Sequence, residues 1–278
     1  MRVIAESDWL VNQLSDPNLV IVDCRFSLKD PTSGRKAYEH SHIPGAVYFD
    51  LEKDLSGEIE THGGRHPLPN LLEFKSKIEK AGISNDTTVI AYDGGEGAFA
   101  ARFWWMLTYL GHQNTYVLNG GFTGWEKKGF PVQSEQVEKS LASFEIQMQP
   151  KMLASYEDVK KVVDGKGSET RLIDSREEKR YLGIEEPIDK KAGHIPGAMN
   201  KVWTEGLSNG YFKPVKEQEE RFSEFSKDQP LIVYCGSGVT AIPNYMALKQ
   251  AGFTNVKVYI GSFSDWISWD DNSVSQKI

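Results

Sequence analysis

The sequence predicts an α/β protein of two tandem domains, each a central parallel sheet flanked by helices. Three observations predict it. The chain has 278 residues, more than one compact core ordinarily holds. Short β-branched runs alternate with helical stretches. The order of landmarks in the first half then returns in the second.

Val20–Val22 and Val89–Tyr92 read as buried parallel strands of the first half, and Ile173 and Leu231–Tyr234 as those of the second. Leu71–Ala81 and Ala98–Leu110 read as helices, as does Ala241–Ala251, which Gly252 stops. The repeat ties these elements together. Val20-Ile21-Val22-Asp23-Cys24-Arg25 is answered by Arg171-Leu172-Ile173-Asp174-Ser175-Arg176, and His42-Ile43-Pro44-Gly45-Ala46 by His194-Ile195-Pro196-Gly197-Ala198. Thr88–Asp93 is answered by Leu231–Cys235, and the Gly-x-Phe-x-x-Trp element of Gly120–Trp125 by Gly261–Trp266. The offsets, in that order, are 151, 152, 142 and 141 residues. So long a period excludes a solenoid and indicates a duplicated domain. The predicted organisation is a first domain over 1–135, a linker over 136–152 and a second domain over 153–278. Pro131–Met152 is polar at first and aperiodic, and its Ser143–Met148 portion is expected to form a short surface strand.

Composition excludes several classes. Hydrophobic content of 39% and charged content of 26% are those of a soluble globular protein. No apolar run approaches the ~20 residues that span a bilayer, so no membrane partner is expected. Met1-Arg2-Val3-Ile4-Ala5-Glu6 has no apolar core or cleavage pattern, which points to the cytoplasm. A net charge of −7 without a Lys/Arg stripe argues against nucleic acid. It leaves room for an anionic substrate, because local donors outweigh global charge. Cys24 and Cys235 are too few for a disulfide scaffold and lack zinc spacing, so neither metal nor cofactor is expected.

Cys235 is the candidate nucleophile. It ends an apolar strand and precedes Gly236-Ser237-Gly238-Val239-Thr240 and a helix start. Two glycines allow backbone N–H groups to turn toward the sulfur, and the helix N-terminus adds partial positive charge. Both stabilise a thiolate or a persulfide anion. The first half carries Asp93 in that slot, and a carboxylate cannot hold a sulfane sulfur. That half is expected to be chemically silent and to supply one wall of the cleft. Cys24 sits where the other half has Ser175, and structural burial is its expected role.

Taken together, Asp-x-Arg, His-Ile-Pro-Gly-Ala, the strand–Cys–loop and Gly-Ser-Phe-Ser-Asp-Trp resemble the motifs of tandem rhodanese-domain sulfurtransferases, over nearly the whole chain. The resemblance implies two rhodanese-like domains with the site between them. It also implies that a sulfane sulfur passes from a small anionic donor to Cys235, and then to a thiophilic acceptor such as cyanide, a thiol or thioredoxin. The loop Cys-Gly-Ser-Gly-Val-Thr, lacking basic side chains, is similar to that of mercaptopyruvate sulfurtransferases and implies 3-mercaptopyruvate as donor. Thiosulfate is the alternative. The family's proton-handling Ser, His and acid fall on Ser237, His66, and Glu52 or Asp54. Arg180 matches a carboxylate-binding arginine, so Arg180, Gly236, Gly238, Val239 and Thr240 are the expected substrate-binding residues. Arg176 is expected to make an internal ion pair. The pattern departs at Glu185-Glu186-Pro187-Ile188-Asp189-Lys190-Lys191, which lacks a second arginine after Glu-Pro. Either Lys190 or Lys191 compensates, or mercaptopyruvate binds less tightly.

Two rivals are weighed. A Cys-dependent phosphatase needs an arginine six residues after the cysteine, where Ala241 stands. The other is a module without turnover that binds partners or only carries sulfur; the intact Cys235 argues against it for the whole chain, and donor-driven persulfide formation without turnover would favour the carrier.

Overall fold

The computed structural model describes residues 3–167 and 169–276. Met1 and Arg2 of the N-terminal stretch read above lie outside them. The first sheet comprises β1 (Ile4–Ala5), β2 (Leu19–Asp23), β3 (Ala46–Tyr48), β4 (Thr88–Tyr92) and β5 (Thr115–Leu118), in the order β1-β5-β4-β2-β3. The second comprises β6 (Leu153–Ala154), β7 (Arg171–Asp174), β8 (Met199–Asn200), β11 (Leu231–Tyr234) and β12 (Val256–Tyr259), in the order β6-β12-β11-β7-β8. A hairpin of β9 (Leu207–Ser208) and β10 (Tyr211–Phe212) lies between β8 and β11 in the chain. Every pairing in both large sheets is parallel. The same strand order thus occurs twice. Asp93 and Cys235 each follow a central strand, at its carboxyl end, where open α/β sheets place their ligands.

The expected helices form as Leu71–Lys80, Ala98–Tyr109 and Ile242–Gln250. Asn70 caps the first, accepting from the Leu72 and Glu73 N–H groups. Gly252, at φ +85°, follows the last. Ten of the twelve residues of Ala98–Tyr109 are buried, so this helix is apolar on every side. It packs against Ile242–Gln250, with the Trp104 and Tyr245 rings 6.2 Å apart, and one continuous core joins the domains. Two smaller clusters, around Trp125 and Trp266, cover the outer sheet faces.

The repeated motifs are largely scaffolding. In register, Asp23 stands beside Tyr92 and Asp174 beside Tyr234. Tyr92 donates to Asp23 at 2.6 Å and accepts from Ile43 N–H. Tyr234 accepts from Ile195 N–H. His42 stacks on Tyr38 at 4.1 Å and His194 on Tyr181 at 3.8 Å, each with Nδ1 at 2.7 Å from that tyrosine's carbonyl.

Ser143–Met148 is not a strand, against the sequence expectation. Among the described residues it pairs with no strand. Its backbone is tied instead to helix ends and side chains: Phe144 N–H donates to Glu79 Oε1, Glu145 N–H to Asn85, and Gln147 N–H to the Leu110 carbonyl.

Candidate active site

Cys235 is 1% exposed, at the end of β11. Its N–H donates to Ser262 Oγ at 3.1 Å, and the same hydroxyl lies 3.9 Å from the sulfur. Ser262 has φ +56°, a left-handed conformation that ordinary side chains rarely adopt. Its repeat counterpart is Gly121, at φ +53°. The Gly-to-Ser change therefore places a hydroxyl beside the Cys235 thiol at the expense of backbone strain. Gly238, at φ +74°, has no room for a side chain, since a Cβ there would stand 2.3 Å from the Ile260 carbonyl oxygen. Val239 is buried and Thr240 half-buried in the same turn.

The first domain displays an anion cradle at the matching position. Asp93 accepts N–H groups from Gly95 and Gly97 on Oδ1, and from Phe99 and Ala100 on Oδ2, at 2.8–3.2 Å. Burial, with the charge of Glu96, still pushes its carboxyl up to about 6 against these hydrogen bonds. This end of the first domain is covered by the hairpin. A Cβ on Gly97 would meet Phe212 at 2.8 Å, and one on Gly120 would meet Tyr211 at 2.5 Å.

Across the domain boundary, His66 Nδ1 lies 2.8 Å from Ser237 Oγ, a pair separated by 171 residues in sequence. Both side chains are buried. Burial, then the nearby charges of Arg102 and Arg65, brings His66 down to about 4, so the ring is neutral at pH 7. His66 and Ser237 line a cavity of about 810 Å³ between the domains. Glu52 also lines this cavity but makes no hydrogen bond to His66. Asp54 points away, pairing with Lys77 at 2.7 Å. Among the described residues no carboxylate hydrogen-bonds His66.

Arg176 makes the expected internal pair, with Asp174 at 2.7 Å and Glu186 at 3.3 Å. Arg180 is held by Glu186 and Asp189, each at 2.8 Å. Lys190 and Lys191 line an adjoining cavity with Asp270, which shares Ile59, Arg65 and Ile188 with the first but not Ser237. Cys24 is buried, and burial followed by the charge of Asp23 raises its thiol well above the ordinary value.

Sequence reading missed two arginines. Arg65 pairs with Asp189 and lines the cavity beside His66. Its signal was a basic residue adjoining the expected histidine. Arg102, fully buried, donates to the carbonyls of Leu55, Gly238, His66 and Pro67. Burial lowers it to about 10, opposed by attraction to Cys235. Its signal was one charge in a helix otherwise free of them.

Two copies of one parallel-sheet domain, of which only the second carries a thiol at the central strand's end, make this a duplicated α/β protein with one candidate thiol site. The family model of the rhodanese-like domain matches residues 6–128 and 155–268. The chain belongs to the rhodanese-like family, in its tandem sulfurtransferase form. It is 41% identical over 272 residues to a probable 3-mercaptopyruvate sulfurtransferase of Pseudomonas aeruginosa, covering 93% of each chain. It is 36% identical over 279 residues to the thiosulfate sulfurtransferase of Mus musculus, covering 95% of this chain and 92% of that one. The crystal structure of SseA from Escherichia coli, of the rhodanese fold, superposes with a TM-score of 0.83 at 32% identity. That match covers 95% of this chain and all of SseA. Among the described residues no helix is long and apolar enough to cross a membrane.

Proposed function

We propose that this sulfurtransferase takes its sulfur from 3-mercaptopyruvate, holds it as a persulfide on Cys235, and passes it to a thiophilic acceptor such as cyanide, a thiol or a thioredoxin-like protein. The observation that carries this reading is the His66–Ser237 hydrogen bond, two residues beyond the cysteine and inside the interdomain cavity. Mercaptopyruvate, unlike thiosulfate, leaves a carbanion equivalent that needs a proton. In the proposed step the Cys235 thiolate attacks the donor sulfur. The sulfur–carbon bond breaks, its electron pair passes to the carbon as pyruvate enolate, and a proton delivered through Ser237 yields pyruvate. The net exchange is thiol plus mercaptopyruvate to persulfide plus pyruvate. A neutral His66 suits a relay in which the Ser237 hydroxyl gives a proton and is reprotonated through the ring. The Asp93 cradle supports a matching role for the Cys235 loop, whose Gly236, Gly238, Val239 and Thr240 would surround the persulfide and bound donor. Cytoplasmic location is proposed with it, supported by two unpaired cysteines.

Thiosulfate as donor is the second reading. Ile188 stands where mercaptopyruvate enzymes are expected to carry an arginine, and thiosulfate sulfurtransferases are among the relatives. Steady-state rates with both donors decide. The expected result is a higher kcat/KM for mercaptopyruvate, with pyruvate released at every turnover. Cys235→Ser should be inactive and unable to gain the mass of a sulfur atom, whereas Cys24→Ser should stay active. A higher kcat/KM with thiosulfate overturns the donor, and an active Cys235→Ser overturns the persulfide.

A further inference from the structure

We infer that the Ser262 hydroxyl is a hydrogen-bond donor set aside for the inner sulfur, Cys235 Sγ, and that it serves above all the half-reaction in which Cys235 leaves as a thiolate. The inference rests on the persulfide reading and deepens it, by giving the two sulfurs of the persulfide separate partners.

Among the described residues, Asn209 and Ser262 are the non-glycine residues with positive φ, at +53° and +56°. Asn209 sits in the turn of the β9–β10 hairpin, where asparagine tolerates this conformation. Ser262 is fully buried and in no such turn, so its strain calls for another reason. The repeat fixes the comparison. Phe263 and Ser264 N–H donate to the Cys235 and Gly236 carbonyls, both at 3.0 Å, and Phe122 and Thr123 N–H to those of Asp93 and Gly94, at 2.8 and 3.3 Å. Ser262 and Gly121 therefore occupy one backbone position. A Cβ on Gly121 would stand 2.6 Å from the Asp93 carbonyl oxygen and 2.7 Å from the Gly95 nitrogen. The first half excludes a side chain here, and the second half makes room for one. The halves differ at both positions together, Asp93 with Gly121 and Cys235 with Ser262.

Bond counting says what the hydroxyl is for. The carboxylate oxygens of Asp93 lie two bonds beyond Cβ, as the outer sulfur of a Cys235 persulfide would, and backbone N–H groups receive them. The matching loop of the second half is thus the partner of the outer sulfur. One bond beyond Cβ stands a carboxyl carbon in Asp93, which needs no donor, and Sγ in Cys235. Ser262 Oγ lies 3.9 Å from that sulfur and 2.8 Å from the Tyr259 carbonyl oxygen, and accepts the Cys235 N–H at 3.1 Å. Its single proton has two acceptors. Beside a neutral sulfur it goes to the nearer carbonyl. When charge sits on Sγ it turns to the sulfur, because a bond to an anion is the stronger one. Charge sits on Sγ in the free thiolate and moves to the outer sulfur in the persulfide. It returns when an acceptor such as cyanide attacks the outer sulfur. The S–S bond then breaks, its electron pair passes to Sγ, and thiocyanate departs. The Ser262 proton turns to Sγ as that charge appears, and a stabilised thiolate leaves faster.

Ser262→Gly removes the hydroxyl and the strain together, and Ser262→Ala removes the hydroxyl alone. Wild type and both variants are charged with sulfur from mercaptopyruvate or thiosulfate, freed of donor and mixed with cyanide. Discharge, read as thiocyanate formed and as sulfur mass lost, should slow by about tenfold in both variants. Alkylation of the uncharged proteins by iodoacetamide should slow by about tenfold near pH 6 and match wild type at about pH 10, where a thiol ionises without help. The glycine variant should melt about 2 °C or more above the alanine variant, because glycine adopts the left-handed φ freely. Discharge and alkylation equal in all three proteins overturn the assignment. Alkylation slowed by the same factor at both pH values also overturns it, since a displaced loop would do that. If wild type takes up no sulfur from either donor, the persulfide reading falls, and the alkylation profile still decides whether Ser262 serves the thiolate.

Discussion

Replacing His66 with glutamine tests the burial of the His66–Ser237 pair through stability alone. The unfolded chain protonates this histidine near 6.5, whereas the folded protein refuses the proton until about 4. The contribution to stability is therefore whole above pH 6.5 and is lost as pH falls, vanishing near pH 4. The gap corresponds to about 3 kcal/mol. Asp93 acts in the opposite direction. Its folded carboxyl keeps a proton up to about 6, while the unfolded one releases it near 3.8. That contribution is whole below pH 3.8 and is lost as pH rises through 6, again by about 3 kcal/mol. Between pH 4 and 6 the two nearly cancel in the wild type, and removing either exposes the other. Urea unfolding of wild type, His66→Gln and Asp93→Asn, at steps from pH 3.5 to 7 (about the span of both titrations), gives two difference curves. Wild type minus His66→Gln should fall as pH drops from 6.5 to 4, and wild type minus Asp93→Asn should rise over the same interval. Constant offsets from lost hydrogen bonds do not affect these slopes. A His66 curve flat to within about 0.5 kcal/mol, or a His66 ring resonance titrating near 6.5, would refute the neutral buried imidazole and the relay built on it.

Two further outcomes follow from the same geometry. Gly238→Ala forces a Cβ against the Ile260 carbonyl at a left-handed φ, and is expected to lower stability by ~1–3 kcal/mol and to displace the loop. A lowered urea midpoint together with slowed persulfide formation checks it, and full activity at native stability refutes it. Arg102→Met strips the buried carbonyls of Leu55, His66 and Gly238 of their donor, while that of Pro67 keeps the Gly57 N–H, and should lower stability by ~3 kcal/mol or more. The anionic form of Cys235 also loses a buried cation's attraction, so its alkylation at pH 7 should slow. An unchanged alkylation rate would show that Arg102 serves packing only.

The sequence by itself determined the duplication, the central strands, the main helices and the thiol that one half keeps. These signals are local. A buried strand is a run of apolar residues, a helix end is a Gly252, and the halves differ where Asp93 answers Cys235. The edge strands β1, β6 and β8, two residues each, carry too little periodicity to be read. Ser143–Met148 has strand composition but pairs with no strand, and composition cannot report a missing partner. The tertiary structure alone decided which distant side chains meet. His66 reaches Ser237, and Asp54 turns to Lys77 while Glu52 only faces the cavity. Arg65 and Arg180 share Asp189, and Arg102 buries itself among carbonyls of both domains. None of these pairings has a spacing that recurs along the chain. They exist because the helices Ala98–Tyr109 and Ile242–Gln250, apolar where they meet, bury that surface against each other and so bring two loops from separate domains within hydrogen-bonding range.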